Sequence, residues 1–339
     1  MCAVKTVNKS VMMRLTLVLV LGSLFCLAAV LTGLVLGSSG YGPVRVLSEI
    51  LGGAEPSVLT DIVWRLRLPR VVLALLVGAS LSLGGLVFQA LLRNPLAEPY
   101  ILGVSGGAAV GAVLGILLGL SAFPGVNLTA FGGSMATLVL VLFIASGRHL
   151  QQRHTLLLAG VMVNALCAAL ILFLLSLVQD ARLHSVLFWM MGDLSLADPR
   201  RLGALSLLLM PCFLLLFILS YPMNLLQMGR EGARSMGLRV DRVSLVLLVT
   251  TSFMVSVAVC QSGLLGFVGL VVPHVLRLAL GPDHRVLVPA CVLGGGGFLV
   301  LCDTLARTIP SQGEMPVGVV TALIGAPVFI MLLKRSVRP

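Results

Sequence analysis

The chain has 339 residues, of which 58% are hydrophobic and only 10% are charged, and its mean hydropathy is +1.11. A soluble domain carries about 25% charged residues, so this composition excludes a soluble fold and predicts an all-α, polytopic membrane protein. The net charge of +11 does not indicate nucleic-acid binding, because the basic residues lie in short segments between apolar runs.

Apolar runs of membrane-spanning length follow one another along the chain and predict about ten transmembrane helices. The first run follows Lys5, Lys9 and Arg14 and is longer than a signal-peptide core, so we predict a retained span. A polar segment, 38–66, comes next, and a short amphipathic helix is predicted near 184–191. The predicted spans are 11–36, 68–92, 100–120, 128–146, 155–178, 202–222, 243–260, 266–280, 286–301 and 317–333.

The distribution of basic residues predicts the orientation in the membrane. Fifteen of the 23 Lys and Arg residues fall at the termini and in the loops of one side, which the positive-inside rule makes cytosolic. Both termini are then cytosolic. Spans two to five and seven to ten lie five spans apart, an offset compatible with an inverted repeat. The whole chain, 1–339, is predicted to form a single transmembrane domain.

The segment 227–242, QMGREGARSMGLRVDR, is the longest polar interruption in the second half of the chain, and it falls on the cytosolic side. A short helix in such a loop can neither enter lipid nor form a domain, so it is predicted to present a surface to a cytosolic partner. The dipeptide Gly-Lys never occurs, which excludes a G-x-x-x-x-G-K-[ST] phosphate loop. The chain therefore cannot hydrolyse ATP by such a loop of its own.

No catalytic constellation is present in the sequence. No H-E-x-x-H motif occurs, and no two of the seven cysteines form a C-x-x-C pair. We therefore predict that the chain is not an enzyme and binds no metal or cofactor.

Four polar residues within the spans or at their ends are candidates for helix packing or for a transport path: Gln89, Asn164, His274 and Asp303. Interhelical hydrogen bonding is the favoured interpretation for the two amides, and packing is favoured over metal binding for His274. Asp303 and Arg307 are four residues apart, so they can pair on a continuous helix.

Three arginines in the segment WRLRLPR, Arg65, Arg67 and Arg70, lie on the predicted outer side, against the positive-inside trend. One interpretation is interfacial anchoring, in which long side chains reach lipid headgroups. The other is a docking site for an acidic partner, because Arg binds carboxylates in a bidentate manner.

Four long motifs of the sequence resemble those of a known family. WRLRLPRVVLALLVGASLSLGGLVFQALLRNPLAEPYILGVSGGAAVG, GFVGLVVPHVLRLALGPDHRVLVPA and GEMPVGVVTALIGAPVFIMLLKR are similar to signatures of the iron-chelate (siderophore or haem) and cobalamin permeases of ABC importers. LLQMGREGARSMGLRVDR resembles the ATPase-coupling loop of that family. The resemblance extends from Arg65 to Arg335.

This resemblance implies a bacterial inner-membrane importer subunit that forms a homodimer of ten-helix chains, with the transport path at the dimer interface. Two ATPase subunits, which bind ATP and Mg, dock beneath it, and a separate substrate-binding protein docks on top. The implied cargo is a ferric siderophore first, then haem, then cobalamin. An ion-gradient-driven secondary transporter is the alternative, but the spans lack the ionisable residues that it needs.

The resemblance also assigns roles to residues. Docking onto the binding protein falls to Arg67, Arg70 and Arg307, which would pair with its carboxylates. The cytosolic gate falls on Leu150, Gln151, Gln152, Arg153, His154 and Thr155, where QQRHT is bulkier than the small hydroxyl residues of the cobalamin permease and argues against cobalamin. Contact with the ATPase is implied for Met228, Gly229, Arg230, Glu231, Gly232, Ala233, Arg234, Gly237 and Leu238.

Overall fold

A computed structural model describes residues 2–37, 42–51, 58–145, 153–177, 180–195, 197–310 and 313–336. Helices dominate these ranges, so the predicted all-α class is confirmed. The α-helices are α1 Cys2–Val35, α2 Pro43–Leu51, α3 Val58–Asp61, α4 Leu68–Leu92, α5 Val104–Leu117, α6 Asn127–Ala145, α7 Arg153–Ser176, α8 Asp180–Met191, α9 Pro199–Ile218, α10 Ser220–Gln227, α11 Arg230–Ser235, α12 Val240–Ser262, α13 Val268–Leu280, α14 His284–Thr308 and α15 Val317–Ser336.

Seven helical segments in the described part of the chain are long and apolar enough to cross a membrane. They are Val11–Val35, Val58–Leu92, Ala122–Ala145, Thr155–Ser176, Pro199–Ile218, Val240–Ser262 and His284–Thr308. Three shorter apolar helices, Val104–Leu117, Val268–Leu280 and Val317–Leu332, fall on the remaining predicted spans. A polytopic helical membrane protein is therefore confirmed, since only a helix satisfies its own backbone groups in lipid without closing a barrel.

The segment before the second span differs from the sequence prediction. Residues 38–66 are predicted as a polar connection, yet they contain the amphipathic helix α2 and the short helix α3, Val58–Asp61. A π-helical turn, Ile62–Arg67, joins α3 to α4. The amphipathic pattern explains the difference, because Val46 of α2 is buried against Leu59 and Val63.

The sixth predicted span, 202–222, is also divided in the structure. It ends as α9 at Ile218, and α10 begins at Ser220 and continues to Gln227. Pro222 accounts for the break, because it has no backbone N–H to donate to the carbonyl of Ile218.

The chain separates into two compact units, each built from several stretches of sequence. Unit 1 comprises Met1–Leu83, Leu194–Met210 and Gly266–Pro339, and unit 2 comprises Gly84–Asp193 and Pro211–Leu265. These boundaries do not follow spans two to five and seven to ten. The inverted repeat and the single transmembrane domain stay predictions.

Unit 1 is built around α14, with α1 packed along it. The helices α4 and α14 also approach closely, since a Cβ added to Gly78 would collide with the carbonyl of Gly295. Small residues at such crossings let helices approach closely where the hydrophobic effect does not drive them together.

Unit 2 is centred on the pair α5 and α6. A Cβ on Gly111 of α5 would collide with the carbonyl of Thr129 on α6, so glycine sets their separation. The hydroxyls of Ser134 and Ser256 then join α6 to α12 by a buried hydrogen bond of 2.7 Å. Unit 2 therefore uses small residues and hydroxyl pairs as interhelical contacts, as membrane proteins commonly do.

Candidate functional site

The cytosolic loop predicted from the sequence folds as the short helix α11, Arg230–Ser235. Glycines in the left-handed region bracket it, with φ of 107° at Gly229 and 82° at Gly237. Leu238 N–H donates to Ala233 O at 3.0 Å, and Gly237 N–H donates to Arg234 O at 2.9 Å. These two bonds are the Schellman arrangement, which needs a residue with positive φ after the helix. The end of α11 is therefore defined by Gly237.

One face of α11 is packed and the other is open. Ala233 is fully buried, whereas Met228 and Met236 are exposed. Exposed methionines at a loop suit a surface that adapts to a partner, because the thioether chain is flexible and polarisable. The helix therefore presents apolar contact area without a fixed pocket.

Two arginines of α11 share one carboxylate at the start of α12. Arg234 Nη2 lies 3.0 Å from Asp241 Oδ2, and Arg230 binds the other oxygen of Asp241. Asp241 lies in the first turn of α12, where a negative charge is favoured by the helix dipole. We refer to Arg230, Arg234 and Asp241 as the α11 clasp.

Half of the predicted gate lies outside the residues that the structure describes. Leu150, Gln151 and Gln152 lie outside the described residues, and Arg153 and His154 form the first residues of α7. Thr155 follows them and is partly buried. The gate assignment stays a prediction.

The three arginines predicted to dock a binding protein are buried in unit 1. Arg67, Arg70 and Arg307 expose only 4%, 7% and 3% of their surface. By contrast, Arg65 is exposed and pairs with Asp61 at 2.9 Å. In this conformation the three side chains turn inward to groups of their own chain. Docking through them stays a prediction.

A shared aspartate holds two of these arginines. Arg70 Nε lies 2.8 Å from Asp303 Oδ1, and Arg307 Nε lies 3.0 Å from Asp303 Oδ2. The Nε–H of Arg307 donates to the backbone O of Asp303, at 3.4 Å. Arg307 and Asp303 Oδ2 therefore form an ion pair without an aligned hydrogen bond. Arg70 Nη1 also binds Glu314 Oε2 at 2.5 Å. The i, i+4 pairing of Asp303 with Arg307 is present.

The carboxyl end of α1 supplies further acceptors. Arg67 Nη1 donates to Leu34 O at 2.7 Å and to Val35 O at 2.9 Å, and Arg307 Nη2 donates to Gly33 O at 3.2 Å. The last carbonyls of a helix have no intrahelical donor and carry the negative end of its dipole. They therefore complete a cluster in which two carboxylates face three guanidiniums. We call Arg67, Arg70, Asp303, Arg307 and Glu314 the arginine cluster.

The other polar candidates are dispersed. Gln89 is buried, and His274 meets the ring of Phe329 edge-on with 6.3 Å between centroids. Asn164 lies in the middle of α7 and is exposed, although its Oδ1 also lies against Gly106 of α5. Within the described residues, no group of three or more His, Cys, Asp or Glu side chains could hold a metal ion.

Sequence reasoning missed two members of these sites. Glu314 is separated from Arg70 by 244 positions, and no local spacing predicts that pair. Arg93, which follows α4, donates from Nε to Leu226 O at 2.9 Å across a separation of 133 positions. The only sequence signal for Arg93 is its place in a loop on the same predicted side as 227–242.

Relatives of known name are similar over most of the chain. One from Salmonella arizonae, named vitamin B12 import system permease protein BtuC, is 44% identical over 278 residues, which cover 81% of this chain and 84% of the relative. The protein of the same name from Klebsiella pneumoniae subsp. pneumoniae is 44% identical over 277 residues, with coverage of 81% and 82%.

Solved structures are also similar over most of the chain. The inward-facing conformation of an ABC transporter assigned to the metal-chelate type matches with a TM-score of 0.83 and 29% identity, covering 93% of this chain and 97% of that one. A chain of PsaBC from Streptococcus pneumoniae in complex with Fab matches with a TM-score of 0.51 and 15% identity, over 85% of this chain and 94% of that one. The second likeness is evidence of the fold alone.

A family model, described as the FecCD transport family, matches residues 24–335. This range includes the four sequence motifs, both shared aspartates and all of α11. The predicted family resemblance is therefore confirmed, and no comparison supports a secondary transporter. The chain belongs to the FecCD transport family and is a permease of the ABC importer type.

Proposed function

We propose that this permease carries cobalamin, or a corrinoid of similar size, into the cytosol of a bacterium. The observation that carries this proposal is the 44% identity to relatives named as vitamin B12 import permeases. Because of this identity we rank cobalamin above the ferric siderophore, which the family resemblance alone placed first. The likeness to an ABC transporter assigned to the metal-chelate type, at 29% identity, keeps a ferric chelate as the second candidate.

The permease works in the inner membrane with both termini in the cytosol, as a dimer with a second copy of itself. Two separate ATPase subunits bind ATP and Mg and supply the energy, and this chain catalyses no reaction. Support for the orientation comes from the charge distribution along the chain. A separate binding protein delivers the substrate, which passes through unchanged.

Coupling to the ATPase occurs at α11. In support, α11 is a short helix whose end is fixed by Gly237, whose inner side is anchored by Ala233 and whose neighbours Met228 and Met236 are exposed. A helix of this kind transmits displacement as a rigid element, because both of its ends are defined. When ATP draws the two ATPases together, α11 moves with them and changes the positions of α10 and α12.

Asn164 lines the transport path or the contact with the second copy. It is exposed in the middle of the apolar helix α7. An amide facing acyl chains would leave hydrogen-bonding groups unsatisfied, so polar groups within spans normally face a cavity or another helix. The exposed face of α7 that carries Asn164 is therefore the part of unit 2 that we assign to the path.

Docking of the binding protein involves the arginine cluster only if a partner carboxylate competes with the chain's own acids. Glu314 is the exchangeable one, because its side chain is 37% exposed whereas that of Asp303 is fully buried. A carboxylate that replaces Glu314 on Arg70 would leave the Asp303 pairs intact.

The test is reconstitution of the permease with its ATPase in liposomes, with the binding protein and cobalamin supplied outside. ATP-dependent uptake of labelled cobalamin is the expected result, with a ferric siderophore and haem as competitors that do not reduce it. Uptake of the siderophore in place of cobalamin would overturn the substrate. Uptake driven by an ion gradient without ATPase would overturn the transport mechanism.

A further inference from the structure

Arg93 has an unusual backbone conformation directly after α4. Its φ is 48°, and only it and Phe267 have positive φ among the described residues other than glycine. A side chain with a Cβ adopts this region at a cost, so a compensating contact is expected. In this position the backbone turns the guanidinium of Arg93 towards the end of α10.

The compensating contact is with the carbonyl of Leu226, in the last turn of α10. Arg93 Nε donates to Leu226 O at 2.9 Å, and Nη2 donates to the same oxygen. The N–H of Gly229 also donates to that oxygen, but at the longer distance of 3.4 Å. Arg93 thus supplies the donor that a helix end lacks, and its charge is favourable at the negative end of the dipole.

The same guanidinium covers the joint between α10 and α11. Gly229 forms this joint, with φ of 107° and ψ of 161°. A Cβ added to Gly229 would lie 3.5 Å from Arg93 Nη2, so the guanidinium is in contact distance of the joint itself. The α11 clasp holds the other side, since Asp241 binds Arg230 and Arg234.

We infer that Arg93 is a positioning residue for ATPase coupling, which fixes the direction in which α11 leaves α10. This inference rests on the proposed function of α11 as the coupling helix. Through Arg93, the loop after α4 follows α11, so displacement of α11 reaches α4 as well as α10 and α12. Without Arg93, α11 still folds, because its Schellman end and the clasp are independent of it. Its direction relative to α10 is then fixed less firmly at Gly229, although the clasp still holds it to α12, and ATP hydrolysis is transmitted less efficiently.

Two substitutions and one control separate positioning from local stability. Arg93→Gln removes the charge, and Arg93→Lys keeps a charged donor; both variants retain the same backbone constraint. Arg285→Gln is the control, because Arg285 is also an arginine at a helix end, paired locally with Asp283 at 2.7 Å. Each full-length permease is purified in lipid nanodiscs for proteolysis, and with its ATPase and binding protein in liposomes for transport.

The first measurement is trypsin cleavage after Arg230 and Arg234. Arg93→Gln should accelerate cleavage about tenfold, since a charge-assisted hydrogen bond to the joint is lost. Arg93→Lys should accelerate it less, and Arg285→Gln should not change it. Equal cleavage in the unsubstituted chain and Arg93→Gln would overturn the inference, whatever the protein transports.

The second measurement is the number of substrate molecules imported per ATP hydrolysed. Arg93→Gln should lower this ratio about tenfold while the ATPase stays bound and active, and Arg93→Lys should restore part of it. A ratio that is unchanged in Arg93→Gln, in complexes whose unsubstituted form imports substrate, would overturn the inference alone. An unsubstituted complex that binds no ATPase would overturn the proposed function.

Discussion

In the part of the chain that the structure describes, an aspartate is shared by two arginines at two places, in very different surroundings. In unit 1, Asp303 lies between two arginines and its side chain is 0% exposed. In unit 2, Asp241 lies between two arginines of α11, and its side chain is 57% exposed. Each aspartate pairs with two guanidiniums, and the exposure of the aspartate is the largest difference between the two sites.

Removing a partner should cost more free energy at the buried Asp303 than at the exposed Asp241. Removing one partner of a buried ion pair leaves a charge that water cannot reach, which costs about 3–5 kcal/mol. Exposed pairs contribute about 0.2–1 kcal/mol, because water competes for both ions. The arginine cluster is therefore suited to holding helices together, and the α11 clasp to a surface that binds and releases a partner.

The largest expected effect is that of Asp303→Asn. It leaves Arg70 and Arg307 facing one neutral amide in a buried site, so the free energy of unfolding should fall by about 3–5 kcal/mol. Chemical denaturation in detergent micelles, followed by tryptophan fluorescence, measures it. A loss below about 1 kcal/mol, the scale of an exposed pair, would show that the buried cluster is not what stabilises unit 1.

Next in size is Gly237→Val. Gly237 has φ of 82°, a region that costs a β-branched residue about 1–2 kcal/mol, so the end of α11 should open. Faster hydrogen exchange of the α11 amides and weaker uptake are expected, while global unfolding is unchanged.

The control for Gly237→Val is Gly232→Ala, because Gly232 is inside α11 and an added Cβ there meets only Met228 Cβ at 3.5 Å. Alanine should keep or strengthen the helix. If both substitutions impair uptake equally, the shape of the helix end is not the cause.

A smaller effect is expected from Glu314→Gln. Its carboxylate is 37% exposed, so the free energy of unfolding should fall by about 1 kcal/mol or less. Arg70 then loses one internal competitor, and an acidic binding protein should bind the permease more tightly. Surface plasmon resonance on nanodiscs gives the affinity, with Asp61→Asn as a control at an exposed pair. Unchanged or weaker binding would argue against docking through Arg70.

The smallest effect on stability is expected from Asp241→Asn, at about 0.5 kcal/mol or less. The two sites should also respond differently to salt. At 1 M salt the screening length is about 3 Å, so the effect of Asp241→Asn should vanish while that of Asp303→Asn persists. Denaturation curves at low and high salt compare them, and equal salt sensitivity would mean that the two aspartates are similarly hydrated.

The sequence was a good guide to the spans and a poor one to the arginines. Hydropathy predicts the spans because lipid selects long apolar helices, and composition alone marks the loop that contains α11. Arg67 and Arg70 are three residues apart and share a helix face, whereas Arg65 does not. This spacing would have distinguished Arg67 and Arg70 from Arg65. It applies only to a helix, however, and a polar connection was predicted there. The meeting of Arg70 with Glu314 depends on tertiary packing, which no local pattern encodes.

The α1 carbonyls bound by Arg67 and Arg307 have a consequence for biogenesis. The first span is made first, yet Arg307 reaches Gly33 O across 274 positions of sequence. During synthesis Gly33 O therefore lacks this donor until α14 has been inserted, whereas Arg67, which donates to Leu34 O and Val35 O, is made much earlier. The packing of unit 1 is therefore completed late in synthesis. A chain released before α14 is made contains α1 without the helix along which it packs.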